Sequence, residues 1–220
     1  MLGVAMQFGR LAGNDHINRR IYDLLAQLHP EDVRAFVRKF RADSDTQNFH
    51  TFRELILGVR LRSKGCNARY GHRIAGRTPD WSILAPDGSP SEVIDVVTLH
   101  QRRAKDIEIG TSIASDSIWS GWITIPPNHL LSKLEAKANT YSGLAEHINL
   151  PYVLAAFSEF TASIDPPEVH HVLHELYGGL FSKSPWLSGV IFFREQNGVY
   201  EFTHFPNPHA SRASRSLGDA

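Results

Sequence analysis

Length, composition and charge set the first limits on this chain. Its 220 residues suffice for one medium domain with a sizeable hydrophobic core. The 23 basic and 23 acidic side chains balance, so any affinity for nucleic acid must come from local patches. The presence of only one cysteine, Cys66, excludes an internal disulfide and a cysteine-based zinc site, as is typical of the reducing cytoplasm. No apolar run reaches the length of a membrane span, so we predict a soluble, cytoplasmic protein without a membrane partner.

Three helices are predicted before the first strand. Apolar residues recur at helical spacing from about Asp15 to Gln27, from Pro30 to Phe40 and from Asn48 to Ser63. The proline at the start of the second segment suits a first helical turn, and Gly65 ends the third helix. The N-terminal quarter of the chain is therefore predicted to be helical.

A β-meander is predicted next. Short segments with strand character run from Asn67 to Tyr70, from Trp81 to Leu84 and from Val93 to Leu99. The sequence Pro86-Asp87-Gly88 between the last two is typical of a tight turn. These two strands should therefore form an antiparallel hairpin.

The second half alternates between helices and strands. We predict in turn a long helix, a buried strand, a helix and two strands that meet at a Gln196–Gly198 turn: Pro127–His147, Tyr152–Phe157, His170–Leu180, Ser188–Phe193 and Val199–His204. This order predicts an α/β fold, with a mixed sheet flanked by helices. We assign the chain to three parts, an N-terminal helical extension, a main domain and a disordered tail: 1–45, 46–209 and 210–220.

Two aspartates mark the candidate site. Strand alternation puts Asp95 on the same face as Val93 and Val97, and Asp80 opens the preceding strand of the same hairpin. Cross-strand pairing can bring the two carboxylates together, where they repel unless a proton or a cation neutralises them. Hard oxygen ligands of this kind suit Mg²⁺ or Mn²⁺. In phosphodiester hydrolysis such an ion polarises the phosphate, and a nearby lysine orients water or stabilises developing charge.

The order of these residues resembles the PD-(D/E)xK nuclease superfamily. Glu54 lies on a predicted helix, Thr-Pro79-Asp80 opens a strand, and Ile-Asp95-Val-Val97-Thr98 forms the next one. The resemblance covers about half of the chain, from Phe49 to Phe157, and implies a restriction-endonuclease-like fold. It also implies a magnesium-dependent endonuclease or exonuclease acting on nucleic acid, with DNA favoured. Glu54 would be the accessory helix acid, and Asp80 and Asp95 the two strand acids that bind metal.

The departure from the family pattern is Val97, which stands where the motif has its lysine. A lysine from another element can replace it, and Lys137 on the long helix is our first choice. Lys133, one helical turn earlier, and Lys105 are alternatives, although helix lysines ordinarily form a solvated face. Otherwise the site is inactive, and the protein is a nuclease-fold binding or regulatory module.

Two basic patches are candidates for phosphate contact. The first precedes the hairpin and includes Arg69, Arg73 and Arg77, while the second follows the acidic strand with Arg102 and Arg103. Such runs also simply solvate helix ends and loops. Neither patch reads base sequence, and a homodimer is left open.

A histidine site is the main rival. His170 and His174 lie one turn apart on a predicted helix and could bind Zn²⁺. The spacing is not that of a His-Glu-x-x-His motif, and apolar packing explains the helix without metal. No Gly-x-Ser-x-Gly elbow points to a serine hydrolase.

Overall fold

The computed structural model describes residues 15–42, 45–99, 126–143, 149–158, 164–196 and 199–215. It confirms an α/β architecture, with a mixed sheet flanked by helices and helices at the N-terminal end. The chain divides into two compact units, Met1–Tyr70 and Gly71–Ala220. Among the described helices, none combines the length and apolar character that crossing a membrane requires.

The first unit contains three helices and one short strand: α1 (Asp15–Leu25), α2 (Pro30–Ala42), α3 (Asp45–Ser63) and β1 (Ala68–Tyr70). Its buried apolar side chains include Ile21, Phe36 and Leu55. Helix α3 packs on α1, α2 and β1. These contacts put α3 in the same compact unit as α1 and α2.

The second unit is built on a sheet with five strands: β2 (Trp81–Leu84), β3 (Pro90–Leu99), β4 (Tyr152–Ser158), β5 (Leu187–Gln196) and β6 (Val199–Pro206). They lie side by side in chain order. Strands β3, β4 and β5 are parallel to one another, whereas β2 and β6 run antiparallel to their neighbours. Every residue of β4 is buried, as expected for a central parallel strand.

Helices cover the face of this sheet on which Asp95 lies. They are α4 (Pro127–Thr140), α5 (Pro166–His174) and α6 (Gly179–Lys183), with a single 3₁₀ turn (Leu176–Gly178) between the last two. Leu134 of α4 packs in one core with Leu154 of β4 and Phe192 of β5. Val93 belongs to this core and Val97 packs against it. Strand alternation therefore turns Asp95 toward α4.

Two helices differ from their predicted extents. Helix α4 ends at Thr140 rather than His147, and residues 144–148 lie outside the described part of the chain. The predicted helix His170–Leu180 instead begins at Pro166 and breaks before α6. Tyr177, Gly178 and Gly179 in the break all have positive φ, at 51°, 85° and 73°. Only glycine fits at position 179, because a β-carbon there would collide with the backbone of His174.

The C-terminal segment also differs from expectation. Residues 210–215, which the sequence assigned to a disordered tail, include two hydrogen-bond donors to a residue of the second unit. Ser214 Oγ donates to Glu92 Oε1 at 2.9 Å, and the Arg215 backbone N–H donates to Glu92 Oε2 at 3.2 Å. The buried Glu92 carboxylate thus holds this segment against β3. Residues 197 and 198 of the predicted turn and residues 216–220 lie outside the part of the chain that the structure describes.

Asn207 should be important for the stability of the second unit. Its buried Nδ2 donates to three backbone carbonyls, those of Phe181, Ser184 and Leu187, at 3.4, 3.1 and 2.7 Å. Asn207→Asp removes these donors and buries a charge, so we expect a loss on the order of 3 kcal/mol in the free energy of unfolding. Asn128→Asp on the exposed first turn of α4 is the matched control, with a change within about 0.5 kcal/mol. Urea denaturation measures both, and equal effects would contradict the assignment.

Candidate active site

The two aspartates meet across the β2–β3 hairpin. Trp81 pairs with Ile94, which puts Asp80 opposite Asp95 at the end of β2. The Asp80 backbone N–H donates to Asp95 Oδ1 at 3.1 Å, and the Val96 N–H donates to Asp80 Oδ2 at 2.8 Å. Each carboxylate is thus fixed by a backbone donor on the opposite strand.

Lys137 approaches both carboxylates. Its Nζ lies 3.9 Å from Asp80 Oδ2 and 3.7 Å from Asp95 Oδ2. Helix α4 positions this lysine, since its apolar stripe packs on the sheet. The structure therefore brings together Asp80, Asp95 and our first-choice lysine. Lys133 lies one turn earlier on α4 and is half-buried, while Lys105 is outside the described residues.

Asp95 is the most deeply buried of these three charged side chains. Asp95 is 1% exposed, whereas the Asp80 side chain retains 22% of its exposure. Burial, followed by the negative charge of Asp80, raises the pKa of Asp95 to about 7, and the positive charge of Lys137 opposes this rise. Asp95 Oδ2 is buried and has no hydrogen-bond partner among the described residues. A buried acceptor without a donor is costly unless a proton or cation neutralises it.

The donor set fits a hard divalent cation. Within the described ranges, no group of three or more His, Cys, Asp or Glu side chains is arranged to hold a metal ion. An ion at this hairpin would therefore have two carboxylates, from Asp80 and Asp95, as its side-chain ligands. Mg²⁺ is commonly bound through one or two carboxylates, with water and substrate phosphate completing its octahedral shell. Asp95 Oδ2 has no hydrogen-bond donor among the described residues, although Lys137 Nζ lies 3.7 Å away, and this agrees with the donor set.

Two tyrosines that sequence reasoning missed surround the site. The Tyr141 hydroxyl donates to the Thr78 carbonyl at 3.1 Å, and the Tyr152 hydroxyl donates to the Lys137 carbonyl at 3.3 Å. Burial and the charge of Asp95 raise the pKa of Tyr141 to about 12 and that of Tyr152 well above its ordinary value. Both phenols therefore remain protonated donors at neutral pH. The i, i+4 spacing of Lys137 and Tyr141 was the available signal, because it puts them on one helix face.

Glu54 and Arg69 belong to the first unit, where each has ionic partners. Glu54 is buried and accepts from Lys39 Nζ at 2.8 and 3.1 Å and from the Tyr70 hydroxyl at 2.5 Å. Arg69 is ion-paired with Glu31 and, at 3.4 Å, with Asp32. These contacts give both residues a structural role within this unit.

Arg73 and Arg77 are exposed on either side of a two-residue turn just before Asp80. Ile74 and Arg77 exchange backbone hydrogen bonds of 2.8 and 2.9 Å, and Ala75 and Gly76 both have positive φ, at 46° and 82°. This is the pattern of a type I′ turn. The Arg77 charge acts on the Tyr141 hydroxyl, so one arginine of this patch lies near the site. Arg102 and Arg103 lie outside the described ranges.

The histidines of α5 pack with one another and with neighbouring side chains. The His170 and His174 rings stack with centroids 4.4 Å apart, and His174 meets Phe181 edge-on at 5.0 Å. His171 Nδ1 lies 2.9 Å from Glu175 Oε2. Burial lowers the pKa of His174, which favours its neutral form. In the described structure these side chains do not form a metal-holding group, so the zinc alternative gains no support.

No protein-family model, no curated protein and no solved structure matches this chain significantly. Its function is therefore inferred from its own side chains.

The raised pKa of Asp95 predicts how stability depends on pH in the absence of divalent cations. The folded chain holds a proton with a pKa of about 7, whereas the ordinary value is 3.8. This contribution to stability is complete below about pH 4, and it is lost as pH rises through about 7. We therefore expect the free energy of unfolding to fall by on the order of 2 kcal/mol between pH 5 and pH 8. Asp95→Asn should remove most of this fall.

Urea denaturation in a chelator at the two pH values measures the effect. Asp87→Asn is the matched control, because Asp87 is exposed in the β2–β3 turn and its hydrogen bonds from Ser89 lower its pKa. Asp87 therefore does not titrate in this range. An equal fall in the wild type and in Asp95→Asn would contradict the assignment of the titration to Asp95.

Proposed function

We propose that this protein is a metal-dependent nuclease that hydrolyses phosphodiester bonds in nucleic acid, with DNA as the favoured substrate. The observation that carries the proposal is the position of Lys137, whose Nζ lies 3.7 Å from Asp95 and 3.9 Å from Asp80. Two carboxylates and an amine in one partly buried site are the groups that this hydrolysis needs.

The order of elements supports the same proposal. Among the described residues from α3 to β4, the elements are a helix, three strands, a helix and a further strand, and β4 runs parallel to β3. This is the order that the PD-(D/E)xK resemblance implies. In the proposed site α4 supplies the amine that Val97 cannot supply.

Each side chain has a proposed role. Asp80 and Asp95 would hold Mg²⁺ or Mn²⁺, which would supply Lewis-acid polarisation of the phosphate and activation of water. Lys137 donates hydrogen bonds to a phosphate oxygen or to the attacking water, and its charge offsets the negative charge that develops as the P–O bond breaks. Asp95 is almost fully buried, so little water screens the interactions of the Lys137 charge at this point of the site.

Arg73 and Arg77 are the proposed phosphate contacts outside the reacting centre. Both are exposed and flank the turn that precedes Asp80, so they can bind the backbone of a nucleic acid next to the site. Arg69 already pairs with two carboxylates, so its contribution to phosphate binding should be smaller.

Metal-dependent cleavage tests the proposal directly. Purified protein with Mg²⁺ or Mn²⁺ should cleave single- or double-stranded nucleic acid. Asp80→Ala, Asp95→Ala and Lys137→Met should each lower the rate by about 100-fold or more, because each removes a charge from the reacting centre. Lys183→Met is the matched control, since Lys183 pairs with Glu135 at 3.4 Å and should leave the rate unchanged.

Binding of metal and nucleic acid without cleavage of any DNA or RNA substrate would refute the enzymatic proposal. That result would favour the catalytically inactive binding module instead.

A rescue experiment tests whether Lys137 replaces the motif lysine. Val97 lies two residues after Asp95 on the same strand face, against the core that α4 covers. Adding Val97→Lys to Lys137→Met should raise the cleavage rate about tenfold above that of Lys137→Met alone, since it returns an amine to the site. Val97→Met adds similar length without charge and is the control. Equal rates for the two double variants would show that an amine at position 97 does not serve this site.

A further inference from the structure

Two buried tyrosines join the helix that carries Lys137 to the strands that carry the aspartates. Tyr141 is 9% exposed and Tyr152 is fully buried. Their ring centroids lie 5.8 Å apart, with 41° between the ring planes. Each hydroxyl donates to a backbone carbonyl next to the proposed reacting groups, so the pair connects both sides of the site.

We propose that Tyr141 and Tyr152 are positioning residues that set the approach of the Lys137 amine to Asp80 and Asp95. The effect on catalysis rests on the proposed nuclease function, whereas the effect on the position of the amine does not.

Tyr141 acts on the aspartate side of the site. It immediately follows the last residue of α4, and its hydroxyl reaches the Thr78 carbonyl at 3.1 Å. Only Pro79 separates Thr78 from Asp80, and the proline ring fixes its own φ. Holding the Thr78 carbonyl therefore limits where the Asp80 carboxylate can lie relative to the end of α4.

Tyr152 acts on the lysine side. It pairs with Val93 of β3, and its hydroxyl donates to the Lys137 carbonyl at 3.3 Å. That carbonyl belongs to the last turn of α4. The bond fixes the backbone of Lys137 to the sheet that also carries Asp95.

The two hydroxyls bind different carbonyls, but losing either one should loosen the position of the Lys137 amine relative to the carboxylates. Without them, α4 would still pack through its apolar stripe, because the tyrosine rings and the leucines of the core remain. The Lys137 backbone would lose its hydrogen bond to β4, and the segment before Asp80 would lose its hydrogen bond to the end of α4. We therefore expect the amine to spend more time away from the carboxylates while the fold is retained.

The closing experiment measures the accessibility of the Lys137 amine. Tyr141→Phe and Tyr152→Phe each remove one hydroxyl and keep the ring. In a chelator, each should raise the acetylation rate of Lys137 by about fivefold, as expected for the loss of one hydrogen bond. The rate of Lys183, followed by mass spectrometry in the same sample, should not change. Tyr177→Phe is the matched control, since Tyr177 is 68% exposed.

Kinetics supply the second measurement. If the protein cleaves nucleic acid, Tyr141→Phe and Tyr152→Phe should lower kcat by about tenfold and change KM by less than about twofold, because misplacing a reacting group mainly affects the transition state. A purely structural role would lower the melting temperature and leave both the kcat of the folded enzyme and the Lys137 rate unchanged.

The outcomes separate this proposal from the nuclease proposal. An unchanged Lys137 acetylation rate in both variants overturns the positioning role, whether or not the wild type cleaves. A selective rise in a protein that never cleaves supports the positioning role and rejects the nuclease. If Tyr141→Phe fails to fold, so that all its lysines react faster, Tyr152→Phe decides.

Discussion

The burial of the Asp95 carboxylate is the constraint on which the site depends. A carboxylate that is 1% exposed loses most of its hydration, and the neighbouring Asp80 adds repulsion. Two contacts offset this cost, the N–H bond from the Asp80 backbone and the charge of Lys137. The pairing of β2 with β3 supplies the first, and the packing of α4 on the sheet supplies the second. The site is therefore a product of the fold around it rather than of any one strand.

The hairpin could be predicted because its signals are local. The Pro86–Gly88 turn predicted that these two strands pair, but it did not fix which residues face one another. The register shifts by one residue between Ile83 and Leu84, and this shift puts Asp80 opposite Asp95. Lys137 followed from the i, i+4 spacing and the family resemblance. The start of α5 was also encoded, since Asp165 and Glu168 form a capping box, but the apolar pattern alone pointed to a later start.

Contacts between distant parts of the chain could not be predicted. Tyr141 lies 63 residues from its acceptor at Thr78, and Ser214 lies 122 residues from Glu92. No periodicity relates such positions, because their contact depends on how completed helices and strands pack. The same reason explains the unit boundary, since only tertiary packing shows that α3 shares a core with α1 and α2.

Among the described residues, the amine nearest the two carboxylates comes from a helix, so the docking of that helix controls its position. A lysine at position 97 would be held by the same hydrogen-bonded ladder that holds Asp95. Lys137 is held by the docking of α4, through Leu130, Leu134 and Ala138, and by the Tyr152 bond to its own carbonyl. A shift of α4 would therefore separate the amine from the carboxylates without disturbing the pairing of β2 with β3. Because Asp95 would then lose its counter-charge, the docking of this helix and the electrostatics of the site are energetically coupled.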